Sequence, residues 1–289
     1  MGDYGYTIRI MIRHVTIVQG KRAVYWERNP QQPQTMVLLH GFRGNHKGLT
    51  DFAQELDEYR LIIPDLPGYG ESEALVIEHS LLNYANWLDQ FVAAIGLHDW
   101  ISWSHSYSGS IALIQAATGA HKPAAVVGVS VAAVRGDAAS MAATFYYWFG
   151  THMPASLQRH WVASRMIDHA TGRWLFTTVT AKRREELMHR GDANLRELNP
   201  QVVTEEYMSS LTTDLEPYAS SIHVPVLLIA GAKDVIVPVR RLADLVALMP
   251  NGHLSIMKEE GHLAPIEEPA TCATLTRKFL HVASVPVAG

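Results

Sequence analysis

Ile101-Ser102-Trp103-Ser104-His105-Ser106-Tyr107-Ser108-Gly109 joins a short apolar run to a segment with helical spacing. Trp100 to Trp103 reads as a strand, and Tyr107 to about Ala117 as a helix. Ser106 stands at the junction, with small residues around it at Ser104, Ser108 and Gly109. A nucleophile on a sharp strand-to-helix turn needs small neighbours two positions to either side, because the main chain passes close to itself there. Glycine is usual at both flanks. Here serine stands at each, and serine accepts a positive φ less readily. The same residues fit a plainer description, a serine-rich helix start with Ser104 or Ser106 as its cap. This stretch alone leaves both readings open.

Strand and helix signals alternate on either side of it. His14 to Val18 and Ala23 to Glu27 read as strands joined by a turn at Gly20-Lys21. Thr35 to Leu39 is an apolar run ending at His40-Gly41-Phe42, and Arg60 to Ile63 another, ending at Pro64-Asp65. Leu81 to Ile95 is apolar at helical spacing. Ala124 to Val134 is a valine-rich run. Continuous apolar strands interleaved with helices point to a parallel sheet buried on both faces. From Arg135 to about Glu206 the strand signals stop and aromatic-rich helical character takes over. The alternation resumes with a strand at Val224 to Ala230, a helix at Val239 to Leu248, a strand at His253 to Met257 and a helix at Ala270 to Ala283. The pattern is one α/β domain with a helical insertion.

Composition bounds the function. The chain has 289 residues, 48% hydrophobic and 18% charged, with a formal charge of −4. This is a globular balance, and the charge argues against a nucleic-acid binder. No run reaches the roughly 18 apolar residues of a membrane helix. Asp3, Arg9 and Arg13 interrupt any signal-peptide core. A soluble, cytoplasmic protein without nucleic-acid or membrane partners is expected; a homodimer is left open. The single Cys272 excludes an internal disulfide. The fifteen histidines form no His-Glu-x-x-His and no tight cluster, so neither a metal nor a cofactor is expected.

Three further segments bear on Ser106. His40-Gly41-Phe42 follows a strand where an oxyanion donor belongs. Asp234 follows Gly231-Ala232-Lys233 at the end of a late strand, and His262 lies in Glu260-Gly261-His262-Leu263 after the last one. The order Ser, Asp, His is that of the α/β-hydrolase triad. With Asp65-Leu66-Pro67-Gly68-Tyr69-Gly70-Glu71-Ser72, these segments make the chain resemble the α/β-hydrolase fold superfamily, in particular its serine hydrolases and esterases with a helical lid. The resemblance implies a mostly parallel eight-stranded sheet. It implies a core formed by residues 1–134 and 207–289, with the lid at 135–206 inserted after the sixth strand.

The implied chemistry follows. A serine hydroxyl is a poor nucleophile at neutral pH and needs a base. His262 is the candidate, since an imidazole ordinarily titrates near 6.5. Asp234 would hold its tautomer. The main-chain N–H groups of Phe42 and Tyr107 would bind the oxyanion. Met141, Phe145, Trp148, Phe149 and Met153 recur near helical spacing and are candidates to line a pocket for an apolar or aromatic acyl group. His40 is expected to order the oxyanion loop, His105 to point away from the site, and Asp65 to anchor a loop. Asp137 is the alternative acid. Glu267 and Glu268 are expected to cap or bridge at the surface, and Arg43 to be solvated. The expected activity is hydrolysis of carboxylic esters or lactones through an acyl-enzyme. The alternatives are a carbon–carbon hydrolase of aromatic ring-fission products, a cofactor-free dioxygenase on a heteroaromatic substrate, and a non-catalytic ligand-binding member of the fold.

Overall fold

The computed structural model describes residues 11–132, 175–195 and 197–283, with the backbone alone at 190–195. It begins with a hairpin of β1 (Ile12–Val18) and β2 (Lys21–Arg28). Gln19 at φ 53° and Gly20 at φ 73° form its two-residue turn. Two positive φ values in succession match the right-handed twist of the strands they join. There follow β3 (Thr35–Leu39), β4 (Arg60–Pro64), helix α1 (Leu81–Ala94), β5 (Ile101–His105), helix α2 (Tyr107–Thr118) and β6 (Ala125–Val129). The second part holds α3 (Ala181–Leu195), α4 (Pro200–Thr212), β7 (Val226–Gly231), α5 (Val239–Val246), β8 (Gly252–Met257) and α6 (Pro269–Val282).

One eight-stranded sheet results, in the order β1-β2-β4-β3-β5-β6-β7-β8. β2 runs antiparallel to β1 and β4; every other neighbouring pair is parallel. The expected mostly parallel eight-stranded sheet is the observed one. Every residue of β3, β5, β6 and β7 is buried. Alternate side chains enter two cores, one on each face. Val37, Leu39, Val126 and Leu228 pack with α1 and α2. Met36, Leu38, Trp103, Val127 and Ile229 pack with Phe52 and α6. The period of two in a doubly covered strand is what allows both faces to be apolar. Among these residues, Cys272 on α6 is fully buried, and its sulfur lies 3.7 Å from that of Met257. Burial pushes the thiol up to about 12.

Some bounds differ from the sequence reading, for local reasons. The valine-rich run after Ala124 is strand only to Val129, because Ser130 turns to φ 49°. Helix α1 closes with a Schellman arrangement: Leu97 N–H donates to Val92 O and Gly96 N–H to Ala93 O, with Gly96 at φ 68°. Helix α4 runs unbroken through positions 206 and 207, where the sequence alone put the edge of the insertion.

Parallel strands bring their carboxyl ends to one edge, and the connecting loops gather there. The loop after β4 is fastened by Asp65, which is wholly buried. Its Oδ1 accepts from the main-chain N–H and the Nδ1 of His46, both at 2.9 Å, and its Oδ2 accepts from Glu71 N–H at 2.9 Å. Asp65 thus anchors a loop. Gly70, at φ 52°, wraps so closely around it that a Cβ would fall inside the carboxylate. Gly70→Ala is expected to cost at least about 2 kcal/mol of unfolding free energy, from the left-handed backbone and the lost anchor together. Urea denaturation measures this, and a loss under about 0.5 kcal/mol would contradict the tight fit.

Candidate active site

Ser106 joins β5 to α2 at φ 57° and ψ −118°. For a residue with a Cβ this conformation costs about 1–3 kcal/mol and needs its surroundings to impose it. Those surroundings are main-chain hydrogen bonds. Ser106 N–H donates to Val129 O at 2.9 Å, and Ser106 O accepts from Gly109 N–H at 2.9 Å and Ala132 N–H at 3.1 Å. Neither flanking serine takes a positive φ. Their hydroxyls brace the turn instead. Ser104 Oγ donates to Val127 O at 3.2 Å, and Ser108 Oγ lies within reach of Leu39 O (2.9 Å) and His105 O (3.0 Å). Gly109 has no room for a side chain; a Cβ would come 2.5 Å from Val131 Cγ2.

The three residues far apart in sequence meet here. Ser106 Oγ lies 2.8 Å from His262 Nε2, and His262 Nδ1 lies 2.9 Å from Asp234 Oδ2. An ionised carboxylate only accepts, so Nδ1 carries the imidazole proton and Nε2 is left to accept from the serine hydroxyl. The other oxygen of Asp234 accepts from the N–H of Ile236 at 2.8 Å and of Val237 at 2.9 Å. Burial by itself pushes this carboxyl up. The bond and charge of His262, with the two main-chain donors, outweigh it and hold the group below its usual range. Asp234 is therefore ionised at neutral pH.

The loop His40–Phe42 closes on the elbow. A Cβ on Gly41 would meet His105 Nδ1 at 3.0 Å and Ser106 Cβ at 3.4 Å, so a larger residue there would press the two segments apart. Phe42 follows directly, and its ring lies 6.3 Å from that of Tyr107. Tyr107 opens α2, where a main-chain N–H has no intrahelical acceptor. His40 orders the loop. Its Nε2 accepts from Leu66 N–H at 3.0 Å, so Nδ1 is the protonated nitrogen and donates to Gly41 O at 3.0 Å. Burial lowers its pKa, which keeps it neutral.

Other expectations fare differently. His105 does not point away into unrelated structure; its Nε2 lies 2.8 Å from His262 O. Glu267 is no surface cap. It is buried, and its Oε2 accepts from the N–H of Thr177 (2.8 Å) and Thr178 (2.6 Å) and from the Thr178 hydroxyl (2.7 Å). Those bonds tie Thr177 and Thr178 to the segment just after His262. Arg43 is half-buried rather than solvated, with its backbone at φ 60°. Asp137 and the lining candidates Met141, Phe145, Trp148, Phe149 and Met153 lie outside the described residues.

Comparison with known proteins shows what the chain is similar to. A family model described as the alpha/beta hydrolase fold matches residues 34–269. A pimeloyl-[acyl-carrier protein] methyl ester esterase of Serratia marcescens is 26% identical over 268 residues, 89% of this chain and 98% of that protein. Lipase 1 of Psychrobacter immobilis is 43% identical, but over 61 residues, 21% of this chain; the match spans 19% of the lipase's length. Among solved structures, an esterase from Exiguobacterium antarcticum superposes with a TM-score of 0.80 at 16% identity, covering 93% of this chain and all of that one. At that identity the likeness is one of fold.

The sequence reading did not single out Glu206. Glu206 is wholly buried on the face of α4 that also presents Val202, Val203 and Ser209 to the core. That spacing of three and four was readable, and an acid on such a face was the available signal. Tyr69 Oη donates to its Oε2 at 2.5 Å, and Tyr84 and Tyr107 lie close enough to interact. Burial pushes the carboxyl up to about 8. Between about pH 4.5 and 8 the folded chain therefore holds a proton that the unfolded chain has released, and rising pH lowers stability across that window. Glu206→Gln is expected to remove that slope, read by chemical denaturation at about pH 5 and about pH 8. A slope unchanged in the variant would assign the loss to other groups.

Proposed function

The chain belongs to the α/β hydrolase fold family, and we propose that it is a serine hydrolase of carboxylic esters or lactones. In this reading Ser106 is the nucleophile, His262 the general base and acid, and Asp234 the residue that fixes the imidazole. The observation that carries it is the continuous relay from Ser106 Oγ through His262 to Asp234, with both links under 3 Å, at a strained strand-to-helix turn. The relatives named as esterases support the choice of ester over other acyl substrates. Fold likeness alone does not choose among chemistries.

The proposed cycle balances at each step. His262 Nε2 takes the Ser106 proton as Oγ attacks the ester carbonyl carbon. The carbonyl oxygen becomes an oxyanion, received by the N–H groups of Phe42 and Tyr107. Asp234 stabilises the imidazolium without taking its proton. The intermediate collapses, His262 protonates the leaving alkoxide, and an acyl-Ser106 ester remains. Water, deprotonated by His262, attacks that ester; the acid leaves and Ser106 recovers its proton. His262 must be neutral for both attacks. The proposal carries with it the cytoplasmic location and the apolar acyl group expected from the sequence.

Ser106→Ala is expected to lower turnover of p-nitrophenyl butyrate by at least about 10³-fold. Asp234→Asn, which favours the wrong tautomer, should cost roughly 10⁴-fold in kcat. A fluorophosphonate probe, located by mass spectrometry, should add to Ser106. An active Ser106→Ala variant, or a label on Ser104 or Ser108, overturns the assignment.

A further inference from the structure

We propose that His105 is a positioning residue for the reaction: it holds the main chain of His262 in place and at the same time seats the oxyanion loop. The proposal deepens the serine-hydrolase reading and rests on it for its kinetic consequence.

The geometry is specific. His105 ends β5, directly before the nucleophile. A carbonyl only accepts, so the 2.8 Å contact with His262 O puts a proton on Nε2 of His105. The other nitrogen, Nδ1, is then unprotonated, and it faces the bare side of Gly41. The two imidazole rings lie 5.4 Å apart, inclined at 47°. One ring thus meets both the base and the oxyanion loop of the proposed chemistry, without touching a reacting atom. The main chain of His105 is itself held, since its N–H donates to Ser108 Oγ at 3.2 Å.

Charge does not undo this role. Burial, with the neighbouring charge of His262, pushes His105 down to about 4. It stays neutral when His262 becomes an imidazolium, so it neither competes for the serine proton nor repels the charged ring. The ionisable groups facing it are His262 and, beyond that ring, Asp234. A lost donor here would leave the His262 carbonyl buried and unpaired, and the loop would shift to satisfy it. Displacements of about 1 Å in a catalytic group can cost about 10²-fold.

His105→Phe keeps the bulk of the ring and removes the donor. Activity is read per labelled Ser106, from fluorophosphonate titration, so loss of folded protein does not count. The expected result is a kcat lowered about 10- to 100-fold with KM within about twofold. His105→Gln, whose side-chain N–H can reach the same carbonyl, should recover most of that loss. A folded Phe variant with full kcat overturns the proposal. Imidazole ¹⁵N spectroscopy of the unaltered protein decides the matter should the variants not fold. His105 should keep its proton on Nε2 and show no titration above about pH 5. A proton on Nδ1, or a titration nearer neutrality, overturns the assignment. Absence of label on Ser106 in the unaltered protein would remove the hydrolase reading instead, and the spectroscopic result would stand apart from it.

Discussion

The left-handed backbone of Ser106 is the constraint on which the site depends. It lifts the hydroxyl off the end of β5 and aims it at His262, and nothing in the residue itself favours that shape. The cost is met from three directions: Val129 at the end of β6, Ala132 just beyond it, and Gly109 in the first turn of α2. The fully buried strands β5 and β6 hold those partners still. The apolar sheet therefore has a use beyond cohesion. It supplies a frame stiff enough to keep one residue in a conformation that it would leave if it could.

Three of the buried histidines, His40, His105 and His262, stand at or against the strand-to-helix turn or in the loop that closes on it, and each has its tautomer fixed by a different acceptor. His40 is protonated on Nδ1 toward Gly41 O, His105 on Nε2 toward His262 O, and His262 on Nδ1 toward Asp234. Only one of the three has a carboxylate as acceptor. That difference separates them chemically. The two that face carbonyls are pushed toward neutrality by burial, while the one facing Asp234 has an anion to balance a positive charge. Residue type alone makes them equal; their surroundings set them apart.

Much of the fold was legible because its signals are local. Thr35–Leu39 is strand at the bounds its apolar run suggested, and Ser80 caps α1 just before the first apolar residue of its stripe. The meeting of Ser106, Asp234 and His262 was legible only through chain order, since no local pattern brings residues 156 positions apart into contact. What escaped the sequence was the partnership of acids. Glu267 and Glu206 look like surface residues in isolation, yet each is buried by a hydroxyl or amide far away, at Thr177, Thr178 and Tyr69. The role of the flanking serines escaped too. They were weighed as imperfect glycines, whereas their hydroxyls fasten backbone that glycine would have left unfastened.

The tyrosine that meets Glu206 also stands edge-on to His40, ring centres 5.5 Å apart. Helix α4 is thus joined, by one shared proton and one aromatic contact, to the segment that presents Phe42. Replacing this helix by that of a relative would therefore reach the core as well as the surface. A graft with an aliphatic residue in place of that acid would strand the Tyr69 hydroxyl and disturb the ring beneath it. Exchange of α4 is constrained from within the core, by Glu206 at Tyr69, Glu205 at His79 and Ser209 at the start of α1.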